Sequence, residues 1–512
     1  MIVHNEFKKF QEIVEKIDQE MFYNNLYIYR LPKGTPRNIN GKIYIDDTDD
    51  EDYFAGVLIH EAGHNVFDPV TAFNYVTCAN KIAGHLGVDV DKALMLANIG
   101  SDLLNGYMVS KNEVLNSYRR KSIEYIYKRF YEQSIESIDA VRRELIAILG
   151  KLHGANIPIE PKYFNQVMAI INSRKAREDK YVEIAKIFLH ILEEEKQEGG
   201  QKEGGQKEGE KEGGEQFGEI PIEVDSDEAE EIAKQILQNS SNIDEAKRGM
   251  AILGKITRGG IKTDVSLREF YEAKARSVLM FLEYPEEYTQ KGIKLGSMKW
   301  RPEYGMNVID VKRTIMKYGV NVPLVTTQTP RILSKFISST ENKKPVDLVI
   351  SIDCSGSTEY PEGKMVCASD YEVVMFYALV NMAKRLDQRI GLTLWSSSIE
   401  YTTLPKTLDW REVDELKKEI IDNWSCGGTR IIFALRQAKE NPEKLFFIFT
   451  DGEVSESELI DVDNVMFFLV KPYRKDYERF VTKYGLTRVV KIDDLKSIPK
   501  IALKKYLNIF RG

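Results

Sequence analysis

The stretch DLVISIDCSGST, residues 347 to 358, contains a run of apolar residues with no polar alternation, broken only by Ser351. Such a run reads as a strand buried on both faces, which requires helices above and below it. The downstream sequence supplies them in turn. YEVVMFYALVNMAKRLDQ (371–388), REVDELKKEIIDNW (411–424) and RIIFALRQAKEN (430–441) carry helical spacing. IGLTLWSS (390–397), KLFFIFTDG (444–452) and VMFFLV (465–470) read as strands, and YERFVTKYG, TRVVKID and IPKIALKKYL continue the alternation. The pattern predicts an α/β doubly wound, Rossmann-like parallel sheet over residues 346–512, with ligands at the carboxyl ends of its strands.

At that edge the chain places Asp353, Ser355 and Ser357 on one loop, Thr429 in CGGTR, and Asp451 in FTDGE. These groups offer hydroxyl and carboxylate oxygens and no soft donor, which suits a hard, partly hydrated cation such as Mg²⁺. ISIDCSGST, GGT and FTDGE together resemble the metal-ion-dependent adhesion site of von Willebrand factor A (VWA) domains, over roughly residues 345 to 512. The resemblance implies that Ser355 and Ser357 bind Mg²⁺ directly and that Asp353 and Asp451 act mostly through water. It implies that Thr429 binds directly or through water, and that a carboxylate from a partner protein completes the shell. Cys354 stands where the family tolerates several residues.

A second motif lies far upstream in GVLIHEAGHNVFD, residues 56 to 68. On a helix, residues four apart share a face, so His60 and His64 can grip one Zn²⁺ while Glu61 stands beside it as a base. Leu58, Ile59, Val66 and Phe67 supply an apolar face opposite. A catalytic zinc needs three protein ligands and an open position. Asp102, in LANIGSDLLNGYMV with Asn98 and Asn105 about a turn away on either side, is the leading third ligand. His85 and Asp68 are the alternatives, and Asp68 could instead orient a ligand histidine. A second helix bearing an acidic ligand is the usual zincin arrangement, and HEAGH is similar to the form found in membrane-anchored AAA+ zinc proteases.

Residues 1–192 otherwise read mostly as helix, so the first domain is expected to be a mostly α, zincin-like metallopeptidase domain. YIYRLPKGTPRNINGKIYIDD interrupts it and predicts a hairpin just upstream of HEAGH, resembling the edge strand that aligns substrate in zincins. Residues 193–219, with GGQKE in tandem and almost no apolar residue, predict a flexible linker. A helical connecting region, 220–345, follows. No run of eighteen apolar residues and no signal-peptide core are present, so a cytoplasmic protein is expected. The four cysteines are too scattered for a disulfide framework. A net charge of −7 and a pI near 5.7 argue against nucleic acid as the main partner.

The order HEAGH, polar second helix, tether, VWA-like domain resembles bacterial and archaeal predicted metallopeptidase–VWA fusions. That resemblance implies a zinc-dependent peptidase whose C-terminal domain recruits a protein substrate or partner through Mg²⁺. It also implies work beside a MoxR-type AAA+ ATPase, which must be a separate chain because no G-x-x-x-x-G-K-[ST] pattern occurs here. The rival expectation is a non-enzymatic adaptor or co-chaperone of such an ATPase, with a structural or vestigial zinc site.

Overall fold

The computed structural model describes residues 4–21, 26–31, 36–39, 42–69, 71–132, 138–199, 222–283, 293–299, 328–333, 347–386, 388–405 and 410–511. The tandem GGQKE tract and the stretch from Trp300 to Gly319 lie outside them. Contacts divide the chain into two compact units. One comprises Met1–Ile236 with Asp244–Asp264, the other Leu237–Ile243 with Val265–Gly512, so residues 220–345 are shared between the two. Among the described residues no helix is long and apolar enough to cross a membrane.

The first unit is largely helical. It contains α1 (Gln11–Met21), α2 (Glu51–Val66), α3 (Ala72–Leu86), α4 (Val90–Ser110), α5 (Glu113–Ile126), α6 (Ala140–His153), α7 (Phe164–Ile171) and α8 (Arg177–Gly199). Its strands β1 (His4–Asn5), β2 (Tyr27–Leu31), β3 (Arg37–Ile39), β4 (Lys42–Asp46) and β5 (Ile222–Glu223) form a sheet in the order β1-β2-β4-β3-β5. The expected hairpin needs correction. The runs YIYRL and KIYID pair in parallel, Tyr27 opposite Lys42, and the antiparallel partner of β4 is the short β3 between them. The alternating pattern marked both runs as strands, but it carries no information on direction. The far edge of β3 is taken by β5, Asn38 opposite Ile222.

Helix α2 is the centre of this unit. Asp50 caps it, accepting from the Tyr53 amide at 2.8 Å, and Glu51 and Asp52 place negative charge in its first turn. From Tyr53 to His64 every residue except His60 is buried, on all sides of the helix. The Phe7, Phe10, Phe54, Leu58 and Ile59 side chains belong to one core cluster with Ile43 and Ile45 of β4. Burial on all sides needs close neighbours, and Gly56 permits one of them: a Cβ there would lie 2.0 Å from Ser122 Cβ on α5.

Most of α9 (Ser226–Asn239) and of α10 (Ile243–Ile256) belongs to the first unit, and the second contains α11 (Leu267–Glu283) and a two-stranded antiparallel pair, β6 (Ile293–Lys299) with β7 (Gln328–Leu333). Its main sheet has six strands: β8 (Leu348–Asp353), β9 (Ile390–Trp395), β10 (Ile399–Thr403), β11 (Leu445–Thr450), β12 (Val465–Val470) and β13 (Val489–Ile492). Their order is β10-β9-β8-β11-β12-β13, all parallel except β10, which is antiparallel to β9. The sheet is therefore mixed, because IEYTT adds an antiparallel edge that the sequence reading did not single out. Between the strands run α12 (Ala368–Arg385), α13 (Trp410–Asp422), α14 (Ile432–Glu440) and α15 (Arg474–Tyr484), with α16 (Ile498–Arg511) last.

Both faces of the sheet are covered. Val349, Phe446, Ile448, Phe467 and Leu469 cluster with Leu435 and Ala438 of α14 and Phe480 of α15. The alternate residues Leu348, Ile350, Ile352, Phe447 and Phe449 are also fully buried. Strand order reverses between β8 and β11, so the crevice for a ligand opens at their carboxyl ends. Asp353 ends β8 and Asp451 follows β11.

Gly56→Ala is expected to lower unfolding free energy by about 2 kcal/mol through overpacking against Ser122. Urea denaturation of the full chain checks this, and Gly56→Ala with Ser122→Gly should recover at least half of the loss. An unchanged midpoint in the single variant contradicts the close α2–α5 contact.

Candidate metal centres

The first centre forms where α2 meets α4. The missing Cβ of Gly63 makes the approach possible, since one built there would lie 2.1 Å from Asn105 Oδ1. Asn105 in turn donates from Nδ2 to the His60 carbonyl at 3.0 Å. Asp102 lies one turn before Asn105 and so faces the same way. The result is a compact triangle. His60 Nε2 and His64 Nε2 stand 3.4 Å apart, and each is 3.5 Å from Asp102 Oδ1. A tetrahedral zinc with bonds of about 2.0–2.1 Å holds its ligand atoms about 3.3–3.4 Å apart, so the spacing of the three donor atoms suits that ion. Among the described residues this is the one group of three or more His, Cys, Asp or Glu ligand atoms that could hold a metal. His64 and Asp102 are buried, and the His60 side chain keeps 18% exposure on the open side.

The surroundings set the protonation of each imidazole. Burial lowers both histidines, His64 to about 4 and His60 well below its ordinary value, with the Arg119 charge adding to the effect. Both rings are therefore neutral at pH 7, the form that binds metal. His64 Nδ1 is 3.1 Å from the Asp68 carbonyl and 3.0 Å from Ser101 Oγ. The carbonyl can only accept, so Nδ1 carries the proton and Nε2 keeps its lone pair toward the triangle. His60 has the opposite neighbour. The buried Arg119 donates from Nη1 to the Gly56 carbonyl at 3.2 Å and sets Nη2 3.4 Å from His60 Nδ1. A guanidinium can only donate, so the metal-free ring holds its proton on Nε2, and that proton must relocate when a cation binds.

The other candidates lie elsewhere. His85 is exposed, and its Nδ1 meets the Lys81 carbonyl of its own helix. The Asp68 carboxylate is held by the Tyr181 hydroxyl and by Arg177 at 3.3 Å, and burial raises it to about 6. Only its backbone carbonyl serves the centre, by orienting His64. Glu61 is buried beside His60, and its carbonyl accepts from Asn38 of β3 at 3.0 Å. Asn98 is buried on α4. Arg119 was invisible in the sequence, since SYRRK reads as an ordinary charged helix face.

The second centre lies at the β8–β11 crevice. Asp353 is fully buried and accepts from the Ser355 amide at 3.1 Å and from Thr450 Oγ1 at 2.7 Å. Ser355 Oγ and Ser357 Oγ are 3.1 Å apart. The loop carrying Thr429 is stitched to this one: Cys426 N donates to the Cys354 carbonyl and Gly356 N to the Gly427 carbonyl, each at 2.8 Å. Thr429 is half-buried two residues beyond that stitch. Asp451 accepts from the Glu453 amide at 2.9 Å. Burial, and to a smaller degree the nearby Asp451 charge, raises the Asp353 carboxyl to about 7. A divalent cation would reverse that cost, since it stabilises the ionised form of both acids. The loops that carry these five residues thus follow the carboxyl ends of the strands or are stitched to a loop that does.

Because His64 stays neutral down to about pH 4, protons compete weakly for the first centre. Its zinc affinity, measured against a competing chelator, should change by less than about tenfold between pH 8 and pH 6. A tenfold loss for each unit would instead mean that His60 surrenders its Nε2 proton to solvent on binding.

No family model matches the chain, and no curated protein matches it. Among solved structures, an aerotolerance-related membrane protein from Bacteroides fragilis NCTC 9343 with multiple mutations to serines is matched at 15% identity. The match covers 32% of this chain and 99% of that one, with a TM-score of 0.24, and a likeness of that size carries no argument about fold or activity.

Proposed function

We propose that this protein is a zinc-dependent peptidase whose C-terminal domain, of VWA type, recruits protein partners or substrates through a bound Mg²⁺. The observation that carries the peptidase reading is the His60–His64–Asp102 triangle with one side open. A zinc ion there would supply a water of lowered pKa and polarise the scissile carbonyl. Glu61, the residue after His60, accepts the proton of that water and returns it to the leaving amine. Asn105 fixes the α2 backbone at His60, and the Asp68 carbonyl fixes the His64 ring, so the ligands are oriented before a substrate arrives. In the second unit, Asp353, Ser355, Ser357, Thr429 and Asp451 hold Mg²⁺, and an acidic residue of the partner completes the shell. A separate AAA+ ATPase of MoxR type is the partner that the domain order favours.

One observation favours the non-enzymatic adaptor. Strand β3 contacts the carbonyl of Glu61 through Asn38, and its outer edge is already paired with β5. An extended peptide cannot add to that edge while β5 occupies it. The adaptor reading keeps the metal and removes the turnover.

Zinc-loaded full chain incubated with a proteome-derived peptide library separates the two. The peptidase reading expects new termini, and Glu61→Gln should slow their formation by about 10²–10⁴-fold while retaining the zinc. A library left intact by the wild type assigns the protein to the adaptor class. Recruitment is checked by affinity capture with wild type and Asp353→Ala, read by mass spectrometry. The variant is expected to lose at least one partner; an identical partner set rules out metal-mediated recruitment.

A further inference from the structure

Glu372 stands in the second turn of α12, the helix that follows the Asp353 loop. It is 0% exposed, and among the described residues neither of its carboxylate oxygens has a hydrogen-bond partner. An ionised carboxylate in that condition is costly, and an acid with no packing advantage over leucine or methionine has no structural reason to be there. Its neighbours make the cost larger. Burial first, then the charges of Asp353 and Asp451, push its carboxyl far above the ordinary range. Those are the two acids of the second centre, and Glu372 lies on the helix that directly follows its Asp353 loop. Asp370, two residues earlier, is a contrast. That residue is equally buried but fully used, accepting from the Gly363 and Met365 amides and from the Tyr271 hydroxyl. Helix and loop geometry therefore account for Asp370 and leave Glu372 unexplained.

We infer that Glu372 is a third carboxylate of the Mg²⁺ centre, accepting a hydrogen bond from a water in the cation's shell. Asp353, Asp451 and Glu372 do not bring three carboxylate oxygens within 4.8 Å of one another, so the three acids do not share the ion directly. An outer position fits, since Mg²⁺ dehydrates reluctantly and keeps several waters whose protons need acceptors. With two acids the pocket only balances the charge of a divalent cation. With three it holds an excess of negative charge, so the cation is retained before any partner docks. The inference rests on reading the Asp353 pocket as a cation site.

The test uses Mn²⁺ and the full chain, with Mn²⁺ binding followed by electron paramagnetic resonance and thermal unfolding measured with and without the ion. Wild type should lose one Mn²⁺ on Asp353→Ala. If wild type and Asp353→Ala bind equally, the pocket is not a cation site and the reading beneath the inference fails. If that difference is present, Glu372→Gln should weaken the same Mn²⁺ by about tenfold or more. Its metal-free melting temperature should stay level or rise, because a repelled buried acid has been removed, while the upward shift produced by Mn²⁺ shrinks. An equal fall in melting temperature with and without Mn²⁺, at unchanged affinity, marks Glu372 as merely structural and overturns the inference alone. Should the glutamine variant fail to fold, Glu372→Met fills the same volume without a polar atom, and the same two readings decide.

Discussion

The first unit depends on one close approach, that of α4 to α2 at Gly63. An alanine there would collide with Asn105, which lies one turn beyond Asp102 and bonds to the α2 backbone. The contact explains why a residue that weakens a helix sits in the middle of the most buried helix of the unit. What glycine loses in helix propensity is offset by the packing of two helices that are both buried along most of their length. The zinc-type triangle is a product of that packing rather than of α2 alone.

The two centres solve the same electrostatic problem with opposite chemistry. The first keeps its two imidazoles neutral by burial, beside the single acid Asp102, and it leaves His60 partly exposed. In the second, burial and neighbouring charge raise the carboxyls of Asp353 and Glu372, so the metal-free pocket is penalised and a cation would relieve it. Two imidazole nitrogens and one carboxylate suit a transition metal. Hydroxyls and water-mediated carboxylates suit a hard ion.

Arg119 complicates the first centre in a specific way. A guanidinium that donates to the outer nitrogen of a metal-facing histidine works against the usual arrangement, in which that nitrogen donates to a carbonyl or carboxylate. His64 has that usual arrangement and His60 does not. The two histidines of a symmetric-looking motif are thus unequal as ligands. Their spacing is identical, and the difference comes wholly from what α5 and the Asp68 turn place behind them.

The sequence by itself determined the elements that carry each centre. HEAGH at helical spacing and the acid-hydroxyl loop after an apolar strand were legible because their side-chain periodicity is local, and so was the strand–helix alternation that gives five of the six strands of the second sheet. The third corner, Asp102, was legible as the foremost of several candidates, yet choosing it over His85 and Asp68 required the orientation of α4, set by Gly63 and Asn105. The parallel pairing of YIYRL with KIYID, the antiparallel β10, the covering of β3 by β5, and the positions of Arg119 and Glu372 were decided only in three dimensions. The reason is physical. Strand direction and the burial of a lone charge are fixed by contacts between residues far apart in the chain, and local periodicity carries no record of them.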